Sequence, residues 1–252
     1  KPGVIAPEKG ITIWQNDFSN PLQWTTSNDP QGTPAHTSGD WTITTNVAGI
    51  PVAALAPAGH TTAANGFAFI NSDAAGGNAT QNASIVFNQN IDLSSEANVL
   101  LKFEQSHRRY AETTYVLWST DGGTTWNEVE VNGDMATNTN TTNPADYQVN
   151  LSNEIGGQDS VRIGFKYVGQ FDWFWAIDDV KITTPDDHDV ALSGLYWGST
   201  GAWGARLPYY QIPTAQVTAI DFSGVIANNG LLNQNATFGV QAGAYVGSSA
   251  PT

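Results

Sequence analysis

Cysteine is absent from the 252 residues. That excludes disulfides, thiolate metal sites and cysteine nucleophiles together. Basic residues are scarce: nine Lys and Arg stand against 23 Asp and Glu, a formal net charge of −14. A field of that sign repels phosphate backbones and attracts divalent cations, so nucleic acid is not an expected partner. Charged residues of both signs make up only 13% of the chain, about half the share of an average soluble protein. No apolar run approaches the roughly 18 residues of a membrane-spanning helix, so no membrane insertion is expected. No stretch keeps an apolar period of 3.6 or 3.5 over several turns, which sets aside bundles and coiled coils. Residues 1–10 lack the apolar core of a signal peptide and read as a flexible lead-in from which any export signal has already been removed.

What is plentiful is the material of β-structure and turns: 25 Gly, nine Trp, eight Tyr and ten Phe. Short alternating runs follow one another with turn residues between them. The longest, 98–110, places Val99, Leu101 and Phe103 on one face and Lys102, Glu104, Ser106 and Arg108 on the other. About a dozen such strands without intervening helices predict an all-β fold, a jelly-roll β-sandwich over residues 11–184. Thr184-Pro185-Asp186-Asp187-His188 reads as a polar hinge. Residues 185–252 then form a small Ig-like β module with strands at 190–196, 210–213, 222–227 and 236–241, too few for a complete sandwich.

Particular residues add a family resemblance. Trp14, Asp17-Phe18 and Trp24 open the first domain, and the strand Gly66-Phe67-Ala68-Phe69 follows. Next come Asp73 with Gly76-Gly77-Asn78, then Ile91-Asp92-Leu93-Ser94 and Ser119-Thr120-Asp121-Gly122-Gly123-Thr124-Thr125-Trp126. The close is Trp173-Phe174-Trp175-Ala176-Ile177-Asp178-Asp179-Val180, the most specific piece. Together these span residues 11–183. They resemble the secreted jelly-roll modules of Bacteroidetes surface proteins, of the cleaved-adhesin and choice-of-anchor J type, which are related in shape to MAM domains. Ser19 departs from the acidic residue such patterns often carry after the first Phe. Residues 188–252 resemble more loosely the Ig-like modules that follow these domains. The resemblance implies export to the cell surface or medium, often by the type IX route, and a non-catalytic role in adhesion or glycan binding.

With it comes a structural Ca²⁺ site made by Asp17, Asn71, Asp73, Asp178 and Asp179. Hard oxygen ligands of this kind suit Ca²⁺, and the other reading of the same carboxylates is local capping of turn N–H groups. A ligand-binding face is expected from Lys102, Glu104, Arg108, Trp118, Arg162 and Lys166, since an aromatic beside charged groups stacks on a sugar ring and bonds its hydroxyls. The alternative is a solvated face of cross-strand ion pairs. Ser119-x-Asp121-x-Gly123-x-Thr125-Trp126 matches the Asp-box pattern and reads as a structural hairpin. Phe171, Trp173, Phe174 and Trp175 read as core, with Trp173 the member most apt to reach a ligand. His36, His60, His107 and His188 show no metal-ligand spacing, and no Gly-x-Ser-x-Gly or phosphate-cradling loop occurs, so no enzyme is expected. The expected partner is a polysaccharide or glycoprotein. Assembly with other surface-protein subunits through strand addition, or service as an accessory domain of a secreted hydrolase, are the alternatives.

Overall fold

The computed structural model describes residues 10–29, 39–46, 59–77, 80–199, 220–228, 230 and 233–239. The chain divides into two compact units, Lys1–Thr184 and Pro185–Thr252. Among its described residues, eleven strands build the first: β1 (Thr12–Asn16), β2 (Trp24–Asn28), β3 (Thr42–Thr44), β4 (Phe67–Asn71), β5 (Gln81–Phe87), β6 (Leu100–Arg108), β7 (Thr113–Ser119), β8 (Asn127–Val131), β9 (Ala145–Asn150), β10 (Arg162–Gly169) and β11 (Phe174–Thr183). Among the described residues three single helical turns interrupt them, a 3-10 turn (Pro21–Gln23), α1 (Ser72–Ala75) and α2 (Ser152–Ile155).

One sheet runs β3-β4-β11-β6-β9 and the other β2-β5-β10-β7-β8, all antiparallel. Strand pairs 4–5, 6–7, 8–9 and 10–11 each cross from one sheet to the other, which is the jelly-roll arrangement of two interleaved Greek keys. β2 lacks the alternation of the inner strands. Its Thr-Thr-Ser-Asn sequence is polar because it is an edge strand, with only Trp24 buried.

Alternation dictates the core. Ala83, Ile85 and Phe87 of β5 meet Leu101 and Phe103 of β6, Ile163 and Phe165 of β10, and Trp175 and Ile177 of β11 between the sheets. Trp175 lies at the centre, fully buried, with ring centroids 5.6 Å from Trp41, 5.8 Å from Phe165 and 6.4 Å from Phe103. Its indole N–H donates to Gln105 Oε1 at 2.8 Å, and Gln105 Nε2 donates to Asn132 Oδ1 at 2.8 Å. A second apolar patch (Phe67, Phe69, Phe174 and Ala176) sits on the outer face of the first sheet against Ala63 and Trp173. β11 is therefore apolar on both faces over its first half, which explains its unbroken aromatic run.

The Asp-box residues form a hairpin turn. The Asp121 carboxylate accepts from the backbone N–H groups of Thr124 and Thr125, both at 2.9 Å, and from the hydroxyls of Ser119 and Thr125. These donors hold its pKa well below the usual carboxylate range, the Thr125 backbone bond being the largest cause. Gly122 and Gly123 supply φ of 69° and 89°. Asp121→Ala is expected to speed amide exchange at Thr124 and Thr125 while leaving exchange in β10 and β11 unchanged; equal speeding everywhere would contradict a local role.

In the second unit β12 (Val190–Ser199) pairs with β13 (Ile220–Asn228), with a bulge between Leu192 and Gly194. The strand expected at 236–241 is not formed over 236–239, and the one at 210–213 lies outside the described residues.

Candidate functional site

β11 changes neighbours part-way along. β4 accompanies it from Phe174 to Ile177, and β1 takes over from Val180 onward on the same edge. At the handover Asp178 and Asp179 have neither neighbour, the β6 pairing slips by a bulge, and Asp179 has φ 48°. A bulge re-aims side chains, and here two consecutive carboxylates turn toward the loop 59–65. The Thr62 hydroxyl lies 3.2 Å from Asp179 Oδ1 and 3.4 and 3.5 Å from the two oxygens of Asp178. A single hydroxyl proton cannot serve three acceptors. Thr62 N donates to Asp179 Oδ2 at 3.0 Å, and Thr61 N to Glu104 Oε2 at 2.6 Å. At the end of the same loop, Asn65 Nδ2 donates to Asp17 Oδ2 at 3.0 Å.

Burial is severe for Asp178, which has no exposed surface. Desolvation, with the neighbouring charges of Asp179 and Glu104 adding to it, pushes its pKa up to about 8. Desolvation also raises Asp179, again with Glu104 contributing. Asp17 goes the other way, held down chiefly by the Ser19 hydroxyl at 2.6 Å. Beneath the loop, burial drives His60 down to about 4, and its Nε2 meets the Ser106 hydroxyl at 3.2 Å.

Of the five residues expected to bind Ca²⁺, the structure gathers Asp178 and Asp179 and places Asp17 at the other end of the loop that covers them. Asp17, Thr62 and Asp179 line one groove of about 520 Å³. Asn71 and Asp73 stand apart. Asn71 pairs with Phe174, four residues or roughly 13 Å up the strand from Asp178. Its side chain caps α1 by accepting from Ala74 N at 3.2 Å, while desolvation raises the Asp73 pKa, opposed by Arg108. Glu104, assigned from the sequence to ligand binding, joins the acidic group instead. Thr61 and Thr62 fall in a stretch without regular pattern, and nothing local marked them. Among the described residues no three His, Cys, Asp or Glu side chains are gathered tightly enough to hold a metal ion between them. The donor set is nonetheless all hard oxygen, with a hydroxyl between two carboxylates, and that chemistry fits Ca²⁺.

The expected ligand face does not form as one surface. Lys102, Glu104 and Arg108 lie on the outer face of the first sheet, while Arg162 and Lys166 lie on the outer face of the second. Consecutive strands of a jelly roll change sheets, so β6 and β7 are not side by side. Trp118 turns inward and packs against the core. Lys166 pairs with Glu128 and stands 4.5 Å over the Tyr115 ring, and Arg162 Nε donates to Asn90 Oδ1 at 2.8 Å. On the first sheet Lys102, Glu104, Asp146, Gln148, Asp179 and Lys181 border a groove of about 440 Å³. Trp173 is half-buried, its ring 3.5 Å beneath the Arg108 guanidinium; the exposed aromatic of that segment is Phe171.

No family model matches the chain, and no curated protein matches it. It is similar to solved structures of β-sandwich domains. The K1 cleaved adhesin domain of Lys-gingipain from Porphyromonas gingivalis W83 is 18% identical, covers 68% of this chain and 97% of that one, and has a TM-score of 0.44. The K3 domain of the same protein is 21% identical over 69% of this chain and 99% of that one, also at 0.44. A family 11 carbohydrate-binding module from Clostridium thermocellum is 11% identical over 72% and 99%, at 0.39.

Proposed function

We propose that the first unit is a non-catalytic binding module of an exported surface or secreted protein, steadied by Ca²⁺ and taking a polysaccharide or the glycan of a glycoprotein. The carrying observation is the enclosure of Asp178 and Asp179 under residues 59–65. A catalytic carboxylate must reach the bond it cleaves. Asp178 has no exposed surface, so its charge is suited to a structural cation rather than to a substrate. Asp178 and Asp179, with the Thr62 hydroxyl between them, would hold Ca²⁺, and the ion would fix the covering loop to β11. Beside it the groove bordered by Lys102, Asp146, Gln148 and Lys181 offers hydrogen-bonding groups for sugar hydroxyls.

Incubation with soluble neutral polysaccharides, followed by assay of newly formed reducing ends, separates this reading from catalysis. Retention by a polymer without reducing-end release is expected; release would make the protein a hydrolase.

A second reading, assembly through the second unit, is favoured by Leu192 (56% exposed) and Val225 (51% exposed) on β12 and β13. Sedimentation at rising concentration tests it, a monomer throughout counting against assembly.

A further inference from the structure

Two connections meet at one end of the sandwich, β6–β7 (residues 109–112) and β10–β11 (residues 170–173). Buried carboxylates hold them together. Asp172 accepts from Ala111 N at 3.2 Å through one oxygen and from Gln170 N at 2.7 Å through the other. Its own N–H donates to the Ser72 hydroxyl at 2.9 Å. Glu112 accepts from Tyr110 N at 2.8 Å and pairs with His107 Nε2 at 3.0 Å, and the other nitrogen of that ring is 3.0 Å from the Phe174 carbonyl. Both carboxylates are 3% exposed. Burying charge to hold two loops is costly, so the loop geometry they fix calls for a purpose.

The loops they fix present aromatic rings to solvent. Tyr110 is 47% and Phe171 is 55% exposed, the two exposed aromatics among the described residues of the first unit. Each stands one residue from the Ala111–Asp172 bond, so both emerge at the same tip. Phe171 adopts φ 55°, a region a bulky side chain enters only at a cost. The residue is more than half exposed, so burial does little to offset that strain. Behind the pair, Arg108 lies over Trp173, whose indole N–H donates to Asn138 Oδ1 at 3.1 Å. Rigid, pre-positioned aromatic faces with polar groups at their rim suit a pyranose, whose C–H face stacks on a ring and whose hydroxyls take hydrogen bonds.

Resting on the binding-module reading above, we propose that the Tyr110–Phe171 tip is a carbohydrate-stacking platform. Its ligand class is a neutral polysaccharide whose pyranose rings present a C–H face for stacking. The net charge of −14, with Asp73 beside Arg108, disfavours uronic or sulfated polymers.

Phe171→Gly and Tyr110→Ala are tested by affinity electrophoresis through neutral polymers of glucose, xylose, galactose and mannose, with thermal melts alongside. Glycine adopts the Phe171 backbone without strain. Phe171→Gly is therefore expected to melt no lower than wild type while its affinity falls about tenfold, and Tyr110→Ala to lose a similar factor. Wild-type retardation of both variants overturns the platform and leaves the binding-module reading standing. A Phe171→Gly protein melting many degrees lower identifies Phe171 as a packing residue and also overturns it. If no polymer retards the wild type, both readings fall.

Discussion

In chelator, the melting temperature of the first unit is expected to fall as pH rises from 6.5 to 8, and Ca²⁺ to restore it most strongly at the upper end. Asp178 has a folded pKa raised to about 8 from the ordinary 3.8. Through that interval the folded protein keeps a proton that the unfolded chain has given up, so stability declines with rising pH. The choice of window matters. His60, lowered to about 4 from 6.5, is neutral when folded, and stability from this group is lost as pH falls below 6.5. Below 6.5 the two trends oppose each other; above it the carboxylate acts without that opposition.

One proton over 1.5 pH units corresponds to at most about 2 kcal/mol, or roughly 4–8 °C for a unit of this size. Bound Ca²⁺ would displace the proton, so at a hundredfold excess over its dissociation constant it would add about 2.7 kcal/mol. Asp178→Asn removes the buried charge while keeping its shape. The variant is expected to melt at or above wild type in chelator at pH 8, and to gain little from Ca²⁺. An unchanged wild-type melt on adding Ca²⁺, with a lower melt for the variant, would make Asp178 a hydrogen-bonding strut with no cation role.

The largest stability effect is expected from Trp175→Ala, about 3–5 kcal/mol, the range for removing a fully buried aromatic side chain. Trp175 is fully buried where both sheets meet, packed against Trp41, Phe103 and Phe165. Its loss leaves a cavity and removes a donor from Gln105, though Asn132 Nδ2 still reaches that oxygen at 3.2 Å. Trp175→Phe fills most of the space and should cost less than half as much. Urea melts of the two variants check the ordering; equal, small losses would show that the sandwich does not depend on this centre.

Strand periodicity made most of the first unit readable, because one face of each sheet is buried and a register error would expose a row of Leu, Ile and Phe. The jelly-roll class was inferred, but which strands are neighbours was not. Trp118 was misplaced for that reason: its alternation fixes a face but not a sheet, and it is half-buried against the core. The pairing of Asp178 and Asp179 with Asp17 came from the resemblance. Thr61, Thr62 and Glu104 were not joined to them, because Thr62 and Asp178 are 116 residues apart and no local pattern records such a closure. Asn71 and Asp73 lie apart from that group. Asn71 caps the turn that begins with the next residue, a local task that the same residue types perform as readily as metal binding. Phe171 read as core with Trp173, Phe174 and Trp175, but it is exposed and at positive φ, a backbone state that sequence signals only through glycine or asparagine.

Affinity electrophoresis of the wild-type protein through neutral polysaccharides, in Ca²⁺ and in chelator at pH 8, tests the account most directly. Retardation by at least one polymer in Ca²⁺, weakened in chelator together with the melting temperature, is the predicted result. Unretarded migration through every polymer by a protein that melts cooperatively in Ca²⁺ would contradict it.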